Sequence, residues 1–364
     1  MRVAILGAGA GGSSAAVELA GEGHEVRLWN RSAAAIEGFV AARGIRHAGV
    51  LGDGFTPLDV ITTQMPLAVA GADVLLVCLP TVAHAALARS MLDAGAKAIP
   101  TILNPGHTGG ALEFTQVFRR HGVAPPPVAE FSTLTYVARM RGPEWVVTTG
   151  RAKSVRVAAM PRADGALDAA LSLYDCARPV ANVLITSLAN INLVLHPPGA
   201  VLAAAWVEAT EGNFTFYVEG LTDGVARVME RLDAERRAVG KAFGIDLPSL
   251  FDEMQAVGTI ESNVHPGAGL AAAIRGGAAN RAIKAPDGFN HRYFQEDLWY
   301  GLEPFLALAA IAGIEAPCAR ALMQLGELAA GPYAPAGRRT AIEMGIEGLD
   351  KEALLAFVSE RADT

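Results

Sequence analysis

The stretch "RVAILGAGAGGSSAAVELAGEG" constrains this chain more than any other. A short apolar run, Val3 to Leu6, enters a glycine turn, and a helical pattern leaves it and stops at Gly21 and Gly23. Gly7, Gly9 and Gly12 stand at GxGxxG spacing between strand and helix, the setting that gives this spacing meaning. Gly7 permits the tight turn, Gly9 lets backbone approach a pyrophosphate, and Gly12 lets helix and strand pack closely. Ala10 opens the helix, whose free N–H groups and positive dipole suit phosphate. The expectation is a dinucleotide held at Gly7, Gly9, Ala10 and Gly12. The competing reading is a glycine-rich turn with no ligand.

The residues that follow agree with a sheet built around that turn. "HEVRLWNR" reads as a second strand. "DVLLVCLP" and "AIPTILNPG" are apolar runs of the kind buried on both faces of a parallel sheet. "PVAEFSTLTYVARM" reads as strand and turn, and "EWVVTTGRAKSVRVAAMP" as an antiparallel hairpin turning near Gly150. Past Val180 the strand signals fade and helical periodicity takes over, over Leu184 to Ala209 and again in "VARVMERLDAERRAVGKAF" and "EPFLALAAIAG". The pattern predicts an α/β N-terminal Rossmann-type doubly wound domain, residues 1–182, followed by a mostly α-helical domain, residues 183–364.

Composition narrows the partners. A net charge of −7 over 364 residues argues against nucleic acid. Apolar stretches such as Gly301 to Ile314 are broken by Glu303 and Pro304, and fall short of the ~20 residues that span a bilayer. The first apolar run is too short for a signal peptide. Three cysteines with no CxxC spacing point to reduced thiols in a cytoplasm, with no metal site.

Several positions refine the cofactor reading. The second strand ends in "WNRS", where an NAD-selective site usually carries Asp or Glu. Asn30, Arg31 and Ser32 stand there instead, and a guanidinium with a hydroxyl suits a 2′-phosphate. NADP is therefore favoured over NAD, the alternative being a solvated Arg31 beside adenine. Ligands lie beyond the carboxyl ends of parallel strands, which brings in Leu79 and Pro80 of "CLPTVAH", and Asn104 and Gly106 of "LNPGHTGG". His107 keeps two readings, a contact to substrate or nicotinamide, or a helix-start residue facing water.

The second half has its own strings: "LANINLVLHPPGAVL", "FTFYVEGLTDGVARVMERLDAER", "FNHRYFQEDLWYGLEPFLALAAIAGIEAP" and "GRRTAIEMGIEG". With the N-terminal loop and "NPGHTGG", in this order, the chain resembles the octopine/nopaline (opine) dehydrogenase family. That family uses NADH or NADPH to couple an α-keto acid to the amine of an amino acid. The resemblance implies that the "HPPG" histidine, His196, acts with the "ED" aspartate, Asp297, and that Arg292 contacts a substrate carboxylate. It further implies substrate contacts around Thr133 and Tyr136, though a cysteine carried by some members near Ala138 is absent here. The residue types fit: imidazole exchanges protons near neutrality, a carboxylate on its second nitrogen fixes the tautomer, and a guanidinium fork suits a carboxylate.

Plainer readings stand beside these. His196 on an apolar helix is a core histidine, or, with two prolines and a glycine ending or bending that helix behind it, a group at a cleft edge. Asp297 is the anion at the start of the next helix, Arg292 a surface arginine, and Asn192, like Asn190, either orients substrate or bonds the backbone. Arg275 and Arg281 either hold a second carboxylate or are solvated. Two further function classes remain: a ketopantoate or glycerol-3-phosphate type of reductase, and a non-catalytic NADP-binding sensor. The reductases use a lysine early in the second domain, and no lysine lies between Leu184 and Arg236. A homodimer is compatible with the apolar helical half.

Overall fold

The structure is a computed structural model that describes residues 1–359. Contacts divide the described residues into two compact units, Met1–Ser187 with Phe357 to Ser359, and Leu188–Ala356. The division lies a few residues beyond the expected 182/183 boundary. Helix Val183–Leu188 explains the difference, because the Thr186 hydroxyl donates to Glu130 Oε1 at 2.6 Å and ties that helix to the first unit.

The first unit holds two sheets. Strands β1 (Arg2–Leu6), β2 (Glu25–Trp29), β3 (Gly44–Gly49), β4 (Gly54–Pro57), β5 (Val60–Thr62), β6 (Val74–Val77), β7 (Thr101–Leu103) and β8 (Val128–Phe131) come first. Then follow β9 (Tyr136–Gly142), β10 (Trp145–Arg151), β11 (Val155–Ala159) and β12 (Ala177–Pro179). The main sheet has the order β12-β11-β8-β7-β6-β1-β2-β5. It is parallel from β8 to β5, with β11 antiparallel to β8. The all-apolar VLLV of β6 is fully buried, as a strand covered on both faces must be. From β1 the chain turns to β2 on one side, and it reaches β6 on the other, so the order reverses beside the glycine turn. That reversal is where open α/β sheets bind ligands.

The second sheet, β4-β3-β10-β9, was not anticipated. It covers the outer face of the first helix, α1 (Ala10–Gly21). Every α1 residue from Gly12 to Leu19 is buried, including Ser13, Ser14 and Glu18. A helix without a polar face has to be covered all round. Ser14 Oγ meets Thr148 Oγ1 of β10 at 2.7 Å, and Glu18 receives the Tyr136 hydroxyl and the Arg151 guanidinium.

The same sheet corrects the expected hairpin. β10 pairs antiparallel with β9 and turns at Gly142–Trp145, whereas β11 belongs to the main sheet. Gly150 lies inside β10 at a register irregularity opposite Val137, not in a turn.

The second unit carries no named strand among its described residues, only an isolated bridge between Thr215 and Lys284. Helix Asp223–Ala242 packs against helices Asn192–Leu202, Leu270–Gly276, Glu303–Ala312 and Pro317–Ala330. Helix Asn192–Leu202 runs through Pro197 and Pro198, so the prolines do not end it. They remove the N–H donors that the Leu193 and Val194 carbonyls would meet. The helix persists because all of Leu193 to Val201 is buried by neighbours. Among the described residues no single helix is long and apolar enough to cross a membrane.

Arg236 is fully buried within this unit. It pairs with Asp233 at 2.7 Å and donates to the Leu188 and Pro248 carbonyls at 2.9 and 2.7 Å. Removing one partner of a buried pair leaves the other charge uncompensated. Arg236→Met should therefore lower stability by about 3–5 kcal/mol in urea unfolding; a loss below about 1 kcal/mol would contradict this role.

Candidate functional site

The glycine turn is built as its spacing requires. Gly7 has φ +124°, and a Cβ there would lie 2.4 Å from the Cys78 carbonyl oxygen. A Cβ on Gly12 would come within 1.8 Å of the Gly7 carbonyl oxygen, so only glycine lets α1 approach β1 this closely. Gly9 differs, since a Cβ there meets nothing within 4 Å. It faces a cavity of about 480 Å³, lined also by Ala8, Asn30, Leu79 and Pro80. Met140, Gly142 and Pro143 of the β9–β10 hairpin line the same cavity. These three were missed because nothing local to "RMRGP" marks a ligand wall.

Ala10 is the first residue of α1, whose first turn carries no acidic side chain. Asn30 accepts from the Ala8 N–H at 3.4 Å and donates to the Ser32 carbonyl at 3.3 Å, joining the glycine turn to the loop after β2. Arg31 and Ser32 are exposed on that loop, between cavity-lining Asn30 and Ala34. Under the cavity, burial pushes the Cys78 thiol up to about 12, which keeps it a neutral, inert wall.

Five other positions take a different part. Asn104 is fully buried and bonds Thr135 twice, through Nδ2 to Oγ1 at 2.9 Å and through Oδ1 to the N–H at 3.2 Å. Gly106 packs against Glu130, whose Oε2 would lie 2.1 Å from an added Cβ. Both stand in loops of the first unit that the sequence marks for the cofactor, and both brace those loops through these contacts. His107 is only 4% exposed, at φ +60°, which removes the reading that faces it to water. Tyr136, read as a substrate contact, is buried under α1 with its hydroxyl engaged by Glu18 and by Tyr174 at 3.3 Å. Thr133 is half-buried between β8 and β9.

The helical unit brings its chemistry together around one imidazole. His196 Nδ1 lies 2.7 Å from Asp297 Oδ2, across 101 residues of sequence. Its Nε2 lies 2.9 Å from the Tyr217 hydroxyl, and Tyr293 stacks on its ring at 3.8 Å with 21° between planes. Asp297 accepts, so Nδ1 carries a proton, and at Nε2 the Tyr217 hydroxyl can serve as donor or acceptor. His196 is only 6% exposed, not at an open edge, because helix Asn192–Leu202 continues past it.

Asp297 is fully buried and stands directly before the turn Leu298–Leu302 without a side-chain cap bond, so its place at the start of that turn and its bond to His196 coexist. Its carbonyl accepts from Leu302 N–H at 3.0 Å, five residues on, so Leu298–Leu302 is a π-helical turn. Such turns are frequent at functional sites. Asn190 Oδ1 accepts the Asn192 N–H at 3.2 Å, and Asn192, half-buried, opens the histidine helix.

Arg292, about half exposed, is paired with buried Glu296 at 3.2 Å. Burial pushes the Glu296 carboxyl up to about 7, against the opposing pull of Arg292. Burial likewise pulls His291 down to about 4, helped by the charges of His196 and Arg292, so it stays neutral near pH 7. Arg275 donates to the Leu221 carbonyl at 2.7 Å and pairs with Asp223, and Arg281 donates to the Gly276 carbonyl. Tyr217, Tyr293 and Glu296 carried no assigned role in the sequence. The one available signal was their place inside "FTFY" and "RYFQED".

Residues 179–330 match the family "NAD/NADP octopine/nopaline dehydrogenase, alpha-helical domain", and residues 3–152 match "Ketopantoate reductase PanE/ApbA". The chain is 34% identical over 363 residues to an opine dehydrogenase of Arthrobacter sp. (strain 1C), covering 98% of each. Octopine dehydrogenase in complex with NADH and agmatine has a similar fold, with TM-score 0.76 at 19% identity over 100% of each chain. Yersinopine dehydrogenase with NADP+ bound gives a TM-score of 0.72 at 15% identity, covering 95% of this chain and 97% of the other.

Glu296 yields a stability prediction with a defined sign. Its folded value lies above the ordinary carboxylate value of 4.5. The proton it holds therefore stabilises the fold fully below about pH 4.5, and that contribution is lost as pH rises through about 7. Glu296→Gln cannot ionise, so its stability relative to the parent should rise by about 3 kcal/mol between those limits. Chemical unfolding at a series of pH values checks this, and a pH-independent difference would sink it.

Proposed function

The chain belongs to the octopine/nopaline (opine) dehydrogenase family of NAD(P)-dependent oxidoreductases, and we propose that it reductively couples an α-keto acid to the amine of an amino acid through His196 and Asp297. The buried 2.7 Å bond between those two side chains carries the reading. A carboxylate on one imidazole nitrogen holds the tautomer and stabilises the imidazolium. That arrangement suits a group that must give and take a proton.

The glycine turn and its cavity fit a nicotinamide dinucleotide. Gly9 leaves open space before the α1 N-terminus, where backbone N–H groups would meet a pyrophosphate. Arg31 and Ser32 beside Asn30 favour NADP, since no carboxylate stands there to repel a 2′-phosphate. When bound, the cofactor supplies the hydride. Overall, keto acid, ammonium, reduced cofactor and one proton become secondary ammonium, oxidised cofactor and water. The protein's own task is to bring a proton to the oxygen that leaves, and His196 held by Asp297 is its source. Arg292 binds a substrate carboxylate, which competes with Glu296 for the guanidinium. The scarcity of lysine early in the helical unit and the buried imidazole both weigh against a lysine-based reductase.

Two measurements test this. Oxidation of NADPH and NADH is followed with pyruvate, glyoxylate or oxaloacetate across the amino acids. Activity is expected only with a keto acid and an amine together, with NADPH preferred. His196→Gln should lower kcat at least about a hundredfold, and Arg31→Ala should reduce the preference for NADPH. Turnover of a keto acid without any amine would overturn the coupling reaction.

The glycines separate binding from folding. Gly9→Ala should leave the melting temperature unchanged and weaken NADPH binding about tenfold or more, equivalent to about 1.4 kcal/mol. Gly12→Ala should lower both, because its Cβ meets backbone. Equal binding by Gly9→Ala and the parent protein would place the phosphates elsewhere.

A further inference from the structure

Imidazole has two nitrogens, and both of those on His196 are engaged inside the helical unit. Nδ1 is held by Asp297 at 2.7 Å and Nε2 by the Tyr217 hydroxyl at 2.9 Å. Nδ1 keeps its proton on the carboxylate, so the exchangeable position is Nε2, and the group in front of Nε2 is Tyr217. We propose that Tyr217 is the outlet of the proton exchanged at His196, so that acid catalysis runs along Asp297, His196 and Tyr217 and ends at the phenol. This rests on the His196–Asp297 reading above.

Independent features support a purpose-built contact. Tyr217 is 6% exposed, and Phe216 beside it lies against Gly199, where an added Cβ would come within 2.5 Å of its ring. That close approach, open only to glycine, anchors the segment three residues past His196 on the same helix. Tyr293 holds the imidazole plane by stacking and also bonds the Tyr217 hydroxyl. Burial first, then the neighbouring Tyr293, keeps the phenol well above its ordinary value, so it remains protonated and gives up its proton only as His196 Nε2 replaces it. A hydroxyl can also both donate and accept. Tyr217 therefore satisfies Nε2 when His196 is neutral, and receives its N–H when His196 is an imidazolium.

The step balances without another reactant. A proton from solvent loads His196. The Tyr217 O–H bond breaks as an H–O bond forms on the carbonyl-derived oxygen of the carbinolamine. The C–O bond breaks and water leaves. The Nε2–H of the imidazolium passes to Tyr217 Oη, leaving a neutral histidine on Asp297.

The test uses the full chain. Tyr217→Phe removes only the hydroxyl. It is expected to lower kcat about a hundredfold or more, with the keto-acid KM and the NADPH dissociation constant within about threefold of the parent's. The solvent deuterium isotope effect on kcat should exceed the parent's, which a merely structural loss would not produce. If Tyr217→Phe keeps the parent's kcat and isotope effect while His196→Gln is inactive, the outlet is overturned and the dyad stands. If His196→Gln is fully active, the dyad fails and the outlet with it. Should Tyr217→Phe not fold, 3-fluorotyrosine at 217 keeps ring and hydroxyl while making the phenol more acidic. A changed kcat at unchanged KM then supports the outlet, and an unchanged kcat overturns it.

Discussion

The first unit depends on one close approach. Helix α1 can lie on β1 only because Gly12 has no Cβ to meet the Gly7 carbonyl. The approach leaves a helix of small residues with no solvent face, and such a helix has to be covered on its far side too. The second sheet supplies the cover, tied down by Ser14 to Thr148 and by Glu18 to Tyr136 and Arg151. Its β9–β10 hairpin then places Met140, Gly142 and Pro143 as a wall of the cavity before Gly9. One steric constraint thus runs from a glycine to the shape of a binding site.

The helical unit follows a different logic. Its centre is polar and buried, and buried ionisable groups need partners. His196 and Asp297 pair with each other, Arg292 with Glu296, and Arg236 with Asp233. Aromatic rings from two distant segments, Phe216 with Tyr217 and Tyr293 with His291, close round the imidazole. Burial that would be costly for a structural core gives Glu296 and His291 values far from their ordinary ones, a property that clusters at functional sites.

The layers differ in how readable they were. The strand–turn–helix at Gly7 to Gly12 and the change to helices past Val180 are local patterns, and local patterns survive in a linear string. The His196–Asp297 meeting spans 101 residues and was legible only through family resemblance. The second sheet is not legible because β3 and β4 are short and partly exposed, and because the burial of Ser13, Ser14 and Glu18 on α1 shows only in the fold. The hairpin was misplaced because Gly150 looks like a turn, whereas Gly142 with Pro143 makes it. Asn104, Gly106 and Tyr136 stand in the loops the sequence points to, but their partners Thr135, Glu130 and Glu18 are tertiary and leave no mark in a string of letters. Pro197 and Pro198 looked like a stop because the packing that holds helix Asn192–Leu202 together is tertiary.

Those two prolines carry a wider consequence. With two successive backbone donors missing just behind His196, the helix holds the imidazole with fewer of its own hydrogen bonds. The position is borrowed from neighbours: Phe216 against Gly199, Tyr293 across the ring face, Leu298 and Val201 against Gly326. Related enzymes can therefore drift in the residues that pack this helix and move the acid–base group by fractions of an ångström while keeping every atom of the dyad. Divergence in what such enzymes accept would then be written in hydrophobic packing, at positions that touch no substrate.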